Sequence, residues 1–240
     1  MKCMKSFAAL ALIAAVAAVP SSATAQGGSK PTVAVLPFNN GAIGAANAEL
    51  QPLTKGIADL LIGELAANPA IRVTERDQIQ KIIEEQNLTK ASMTDAATAV
   101  RIGKLLGVHH MVTGGFITNG KGTMKFTTRV FNVETGEIEF PNPASKDAVV
   151  TGKVDDFMEL INQLAGKLNS GLKLPDIPAR VGEVRKEAAK KVPYEAIALY
   201  SKGLAAKDAG NKAEAVTLFR KSLDKFPAFE KAEAELKKLQ

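Results

Sequence analysis

The sequence predicts a three-layer α/β sandwich with a mixed sheet, followed by an all-α C-terminal region. Three observations carry this. Up to Leu174, short β-branched apolar runs alternate with stretches of helical periodicity. At Leu174-Pro175-Asp176-Ile177-Pro178 two closely spaced prolines block helix continuation and push their predecessors toward extended backbone. Beyond that junction every periodic stretch reads as helix.

Composition bounds the rest. The chain has 240 residues, 46% of them hydrophobic and 23% charged, which excludes a disordered or collagen-like chain. No apolar run reaches the roughly 20 residues that a spanning helix needs. Lys2 and Lys5, the apolar run Phe7 to Val19 and the small-x-small triplet Ala23-Thr24-Ala25 form a secretory leader, with cleavage expected between Ala25 and Gln26. Cys3 precedes the apolar run, so an exported, unlipidated and cysteine-free mature protein is expected. The expected units are a leader over 1–25, an α/β domain over 26–174 and a helical domain over 179–240. Residues 26–178 hold 15 basic and 16 acidic side chains, and 179–240 hold 14 and 9, so the excess positive charge belongs to the tail.

Each element has a local reason. Pro31 to Phe38 suits a strand buried on both faces, and Asn39-Asn40-Gly41 is expected to turn the chain. Leu50, Leu53, Ile57, Leu60, Leu61 and Leu65 share one helical face, which Asn68-Pro69 ends. Ile71 to Val73 is a short strand; Thr74 with Asp77 can cap the next helix, whose buried stripe is Ile79, Ile82 and Ile83. Thr94 and Asp95 open a helix in which Gly103 allows close approach. Met111 to Ile117 and Lys125 to Val133 form a hairpin about Asn119-Gly120-Lys121-Gly122. Ile138 to Phe140 and Ala148 to Thr151 extend the sheet. A closing helix carries Phe157, Leu160, Ile161, Leu164 and Leu168, with Asp155 and Asp156 near its start.

Val33-Ala34-Val35-Leu36-Pro37-Phe38-Asn39-Asn40, Val73-Thr74-Glu75-Arg76, Glu85-Gln86, Ile102 to Val108, Val112-Thr113-Gly114 and Val133 to Ile138 occur in an order and spacing that resembles the curli-secretion (CsgG) family over about Thr32 to Leu172. The same stretch is similar to TolB amino-terminal domains and to lipoprotein activators of cell-wall synthases. The resemblance implies a periplasmic α/β domain of envelope assembly and secretion. The family's channels also carry a lipidated cysteine and long membrane-crossing hairpins. Here the corresponding interval is Thr118 to Met124, too short for the 9–11 residues of a barrel strand. The soluble domain is therefore expected and the pore is not.

In the tail, Gly203, Gly210, Ala215, Phe219 and Pro227 match the small, turn, small, aromatic and terminating positions of a tetratricopeptide repeat, with Ala206 in place of the usual aromatic. Pro193 suits the first position of one helix, and Asn211 with Glu214 caps the second. One repeat needs a neighbour to cover its apolar face; Val181, Val184 and Ala188, or a second copy of the chain, could supply it, and the alternative is a simple helical hairpin docked on the first domain.

Catalytic signals are few. Gly115 to Gly122 nearly spells a phosphate-binding loop, but Gly122 replaces the Mg²⁺-binding hydroxyl and a strand follows. His109 and His110 are adjacent on a strand, point apart, and have no acid at ligand spacing. Glu84-Glu85 and Asp155-Asp156 read as a solvated face and a helix start. No cofactor or metal and no enzymatic activity are expected. The expected role is a periplasmic adaptor in envelope assembly or secretion, associated with the outer membrane through partners. A protein partner of the envelope or a second copy is expected, not nucleic acid, and no membrane-spanning segment. A curli-type secretion channel and a periplasmic hydrolase are the alternatives. Candidate partner-binding residues are Lys190, Lys191, Gly203, Asn211, Lys212, Arg220 and Lys221.

Overall fold

Strand β1 (Thr32–Val35) is a buried inner strand of the sheet, flanked by β3 (Arg72–Val73) and β4 (His110–Thr118), both parallel to it. Strand β5 (Thr123–Asn132) returns antiparallel along the full length of β4. On its far side β5 pairs with β7 (Val149–Lys153) through its first half and β6 (Ile138–Phe140) through its second. The computed structural model describes residues 30–89, 95–119, 122–141, 149–174, 183 and 192–240. Ala25, Gln26, Thr94, Gly120, Lys121, Ala148, the Pro175–Pro178 junction, Val181, Val184, Ala188, Lys190 and Lys191 lie outside the described residues. The α/β class with a helical C-terminal region is as the sequence predicts.

Three local expectations are corrected. Asn39 and Asn40 do not simply turn the chain: they form a two-residue strand β2 beside Gly115 and Phe116 of β4. Pro37 has no N–H to give the ladder, and the Phe38 N–H goes to the Thr54 carbonyl instead, so the chain bulges between β1 and β2. The expected single helix from Leu50 to Leu65 is broken at Gln51-Pro52 into α1 (Ala45–Leu50) and α2 (Leu53–Ala66). Thr74 and Asp77 do not cap α3 (Arg76–Glu85), whose N-cap Glu75 makes no side-chain cap bond; Asp77 is held by Arg76 and Lys207. By contrast, Asp95 accepts from the Thr98 N–H at the start of α4 (Ala96–Leu106), and Gly107 ends that helix at φ 64°.

Helices α2 and α5 (Phe157–Gly171) cover one face of the sheet. There Phe157 meets Phe126 edge-on at 5.7 Å, and Asn68 donates to Asn169 at 3.1 Å. Helices α3 and α4 lie against the sheet at the β1 and β4 end, and Gly103 lets α4 settle on Val133. The tail folds as α6 (Tyr194–Asp208), α7 (Lys212–Lys225) and α8 (Glu230–Leu239). Pro193 is the N-cap of α6 rather than its first residue, while Asn211 caps α7 through the Glu214 N–H as expected. Gly203 lies under the Phe219 ring, where a β-carbon would collide with it, and Tyr200 meets Phe219 and Phe229 at 5.7 and 5.1 Å.

The apolar face of this helical hairpin is covered by α2, through Gly56 against Ser201 and Asp59 against Tyr200. Buried residues of the α/β part and of the tail thus belong to one continuous core. Phe219 is fully buried, so Phe219→Ala should cost about 3 kcal/mol. Chemical denaturation followed by circular dichroism would show it as a lowered midpoint.

Candidate interaction site

Where α6 and α8 meet α2 and α3, the seam is charged, with a buried centre and a half-exposed rim. Arg76 is the first residue of α3, where the helix dipole disfavours a cation; Asp208 is the last of α6, where it disfavours an anion. The tertiary fold brings these two misplaced charges together. Arg76 grips Asp208 with both terminal nitrogens at 2.8 and 3.0 Å, and Lys55 reaches the same carboxylate at 2.5 Å. Only 4% of the Asp208 side chain and 7% of the Arg76 side chain are exposed.

From there the network runs outward. Asp77 accepts from Arg76 and from Lys207, which also donates to Glu235 at 2.6 Å; Lys238 joins Glu235 at 2.6 Å. Burial pushes the Asp77 carboxyl up, but the Lys207 hydrogen bond and the charges of Arg76, Lys207 and Lys238 outweigh it and hold it below its ordinary value. A second clamp centres on Asp59, a buried acid in mid-α2, which accepts from Tyr200 Oη at 2.7 Å and Lys231 Nζ at 2.6 Å. Burial, then the neighbouring Asp59 charge and hydrogen bond, raise the Tyr200 phenol well above its usual value, so it stays a donor.

Beside this seam a cavity of about 500 Å³ opens at the C-terminal end of β1, bounded by Phe38, Pro52, Thr54, Gln80, Ile83 and Ala205. The chain leaving β1 reaches α2 only after β2 and α1, and the chain leaving β3 enters α3, so the crevice opens beyond the C-terminal ends of two parallel strands, where α/β sheets commonly receive ligands. Among the described residues its lining holds no His, Cys, Ser, Asp or Glu. Three of its polar side chains are engaged: Thr54 Oγ1 donates to the Gln51 carbonyl, Gln80 to Glu84, and Lys55 to Asp208. The walls suit an apolar side chain.

Residues 16–126 match the family model described as curli production assembly/transport component CsgG. The chain carries a CsgG-family domain. Its matched stretch runs into β5 and leaves β6, β7, α5 and the tail outside. Among solved structures, the C-terminal domain of LpoB from Salmonella enterica is 16% identical, with 51% of this chain and 81% of that chain covered at a TM-score of 0.34. Lipoprotein GNA1162 from Neisseria meningitidis is 12% identical, with 51% and 79% covered at 0.38. The LpoB C-terminal domain from Escherichia coli is 22% identical, with 45% and 76% covered at 0.34. No curated protein matches the chain.

In this CsgG-family domain the β4–β5 hairpin is closed tightly. Thr118 pairs with Met124, and the Asn119 N–H donates to the Thr123 carbonyl at 3.2 Å, so only a short turn joins the two strands. No helix among the described residues is long and apolar enough to cross a membrane.

The histidine pair differs from expectation in one respect. An acid does reach it: Glu139, distant in sequence, accepts or shares a proton with His110 Nδ1 at 2.6 Å and also takes a bond from Asn132. His109 Nδ1 is engaged separately by Thr32 at 2.7 Å. Among the described residues no group of three metal-ligating side chains is assembled.

Of the residues singled out in the tail, Asn211, Lys212, Arg220 and Lys221 are exposed on α7 and its cap. Gly203 is buried, so it serves α6–α7 packing and presents no surface. The seam residues Asp59, Arg76 and Asp208 were not singled out by pattern. The available signals were an acid within an apolar helix and charges at unfavourable helix ends.

Asp208→Ala should destabilise the protein by about 3 kcal/mol, because it strands the Arg76 cation in a buried site. Coupling measured in a double-mutant cycle with Arg76→Met should recover much of that loss. Asp77 stabilises the fold above its ordinary value of 3.8, and that contribution fades as pH falls through its depressed folded value. Asp77→Asn should therefore be less stable than wild type at neutral pH, and the gap should close in acid below 3.8. Midpoints of urea denaturation against pH read this directly.

Proposed function

We propose that the protein is a non-enzymatic, exported adaptor of the bacterial envelope that holds an assembly or secretion component against a second partner. The observation that carries this reading is the seam. It ties a CsgG-family domain to a basic helical hairpin as one body, so that a partner bound to one is presented at a fixed distance from a partner bound to the other. The match to an assembly and transport family supports the setting, and the largely apolar crevice, whose lysine is held by Asp208, supports docking rather than turnover. On the tail, Lys212, Arg220 and Lys221 make no ion pair among the described residues, whereas Lys207, Lys231 and Lys238 are spent on the seam. The free cations, with Lys190 and Lys191, form the proposed tail contact for an acidic partner. In this reading the hairpin is tetratricopeptide-like, and the leader directs the chain to the periplasm.

Osmotic shock should release a mature chain starting at Gln26, without detergent, and intact mass should show no lipid adduct. Site-specific photo-crosslinkers at Lys212 and Lys221 should trap a discrete envelope protein in cells, and added salt should weaken its recapture in vitro as the Debye length shrinks from about 10 Å at 0.1 M to about 3 Å at 1 M. Charge reversal is the appropriate control, because truncating the tail would strip α2 of its cover. Retention in the cytoplasm, turnover of a substrate, or single-channel steps in planar bilayers would overturn the reading.

A further inference from the structure

The sheet has one face that no helix fully covers. Residues opposite one another in an antiparallel ladder share a face. The pairs Thr113–Arg129, Gly115–Thr127, Ile117–Lys125, Lys125–Thr151 and Thr123–Lys153 therefore place Arg129, Lys125 and Lys153 together on the face away from Phe116, Phe126 and α5. All three cations are exposed. None of the three side chains has an ion-pair or hydrogen-bond partner among the described residues. Strands β2, β4, β5 and β7 carry no acidic residue. Residues 26–178 are almost charge-balanced, yet the described strand residues of this face carry only positive charge.

The face is also concave at one place. The bulge at Pro37 swings the chain away from β4, and Gly115 has no side chain to fill the gap. A recess of about 320 Å³ results, bounded by Pro37, Asn39, Thr113, Gly115, Thr127 and Arg129. A β-carbon on Gly115 would point into it, 3.2 Å from the Asn39 carbonyl and 3.8 Å from Thr127 Oγ1. The Thr113 hydroxyl has no partner among the described residues, so the recess presents a free guanidinium and a free hydroxyl over a glycine floor.

We infer that this recess receives a carboxylate side chain from an acidic segment of a protein partner. Arg129 clamps the carboxylate, Thr113 donates to it, and Lys125 and Lys153 attract the flanking acids. A guanidinium fork matches a carboxylate in plane and supplies two parallel hydrogen bonds. Concavity favours an inserted side chain over a lipid surface, which meets a protein on convex ground. The inference deepens the adaptor reading and rests on it: it states the chemistry of the partner that the CsgG-family domain takes.

The test uses the full mature chain and a fluorescein-labelled glutamate-rich peptide, followed by anisotropy at low salt. Arg129→Gln, an exposed change, should weaken binding about tenfold or more, since a charge-assisted pair is lost. Gly115→Val should weaken it comparably with the charge unchanged, and Lys212→Glu with Lys221→Glu should leave it within about twofold. Circular dichroism melts confirm that each variant is folded; should Gly115→Val fail there, Gly115→Ala takes its place. A peptide with Gln for every Glu should not bind. Equal binding by wild type and Arg129→Gln overturns the site. Loss caused only by the α7 reversals also overturns it, while leaving the adaptor reading intact with its contact on the tail. Binding to phosphatidylglycerol vesicles in place of the peptide overturns it in favour of a membrane surface.

Discussion

Helix α2 has almost no face left for water, and the rest of the structure follows from that constraint. One side packs on the sheet through Leu53, Ile57, Leu60, Leu61 and Leu65. The other, with Gly56, Ala58, Asp59 and Ile62 buried as well, receives the tail. A helix apolar all round must be enclosed. The α/β domain supplies one wall and α6 the other, so neither part completes its core alone. Gly56 sets how closely α6 approaches, because a β-carbon there would strike Ser201. Asp59 sets the register, since its buried carboxylate needs both Tyr200 and Lys231.

The ionic seam is then best understood as specification rather than as a large net gain. Buried pairs repay their desolvation only with good geometry, yet removing one partner is costly. Arg76 and Asp208 each sit at the end of a helix whose dipole opposes them, and each becomes tolerable only when the other is in place. A misdocked tail would lose the Arg76–Asp208 pair and leave each charge opposed by its own helix dipole. This penalty fixes one docking geometry, and an adaptor that must hold two surfaces at a set distance depends on such a geometry.

The two binding surfaces proposed for the protein differ in kind. On the tail, exposed lysines and arginine on a helix provide long-range, salt-sensitive attraction with little shape. On the sheet, the recess beneath Arg129 owes its shape to the Pro37 bulge and to Gly115, so it selects by fit as well as by charge. The apolar crevice at the end of β1 lies at the seam itself and is shaped by Ala205 of the tail along with Phe38 and Ile83.

Much of the fold was legible from local rules. Strand runs, the Asn68 helix end, the Asp95 and Asn211 caps and the Gly203 and Phe219 repeat positions are each encoded within a few residues or one hairpin, where propensity and periodicity act directly. The family resemblance was legible for the same reason, through short motifs at element ends. Other features depend on elements distant in the chain. The helix break at Pro52, the β2 pairing, Glu139 beside His110, the capture of Asp77 by Lys207, and the union of Arg76 with Asp208 across 132 positions arise only when those elements meet. Sequence by itself determined the class of the fold, its order of elements and the basic character of the tail, because burial and charge follow from residue type. Only the tertiary structure decided which charges are spent in the seam and which remain for a partner, because pairing depends on distances that no local pattern contains.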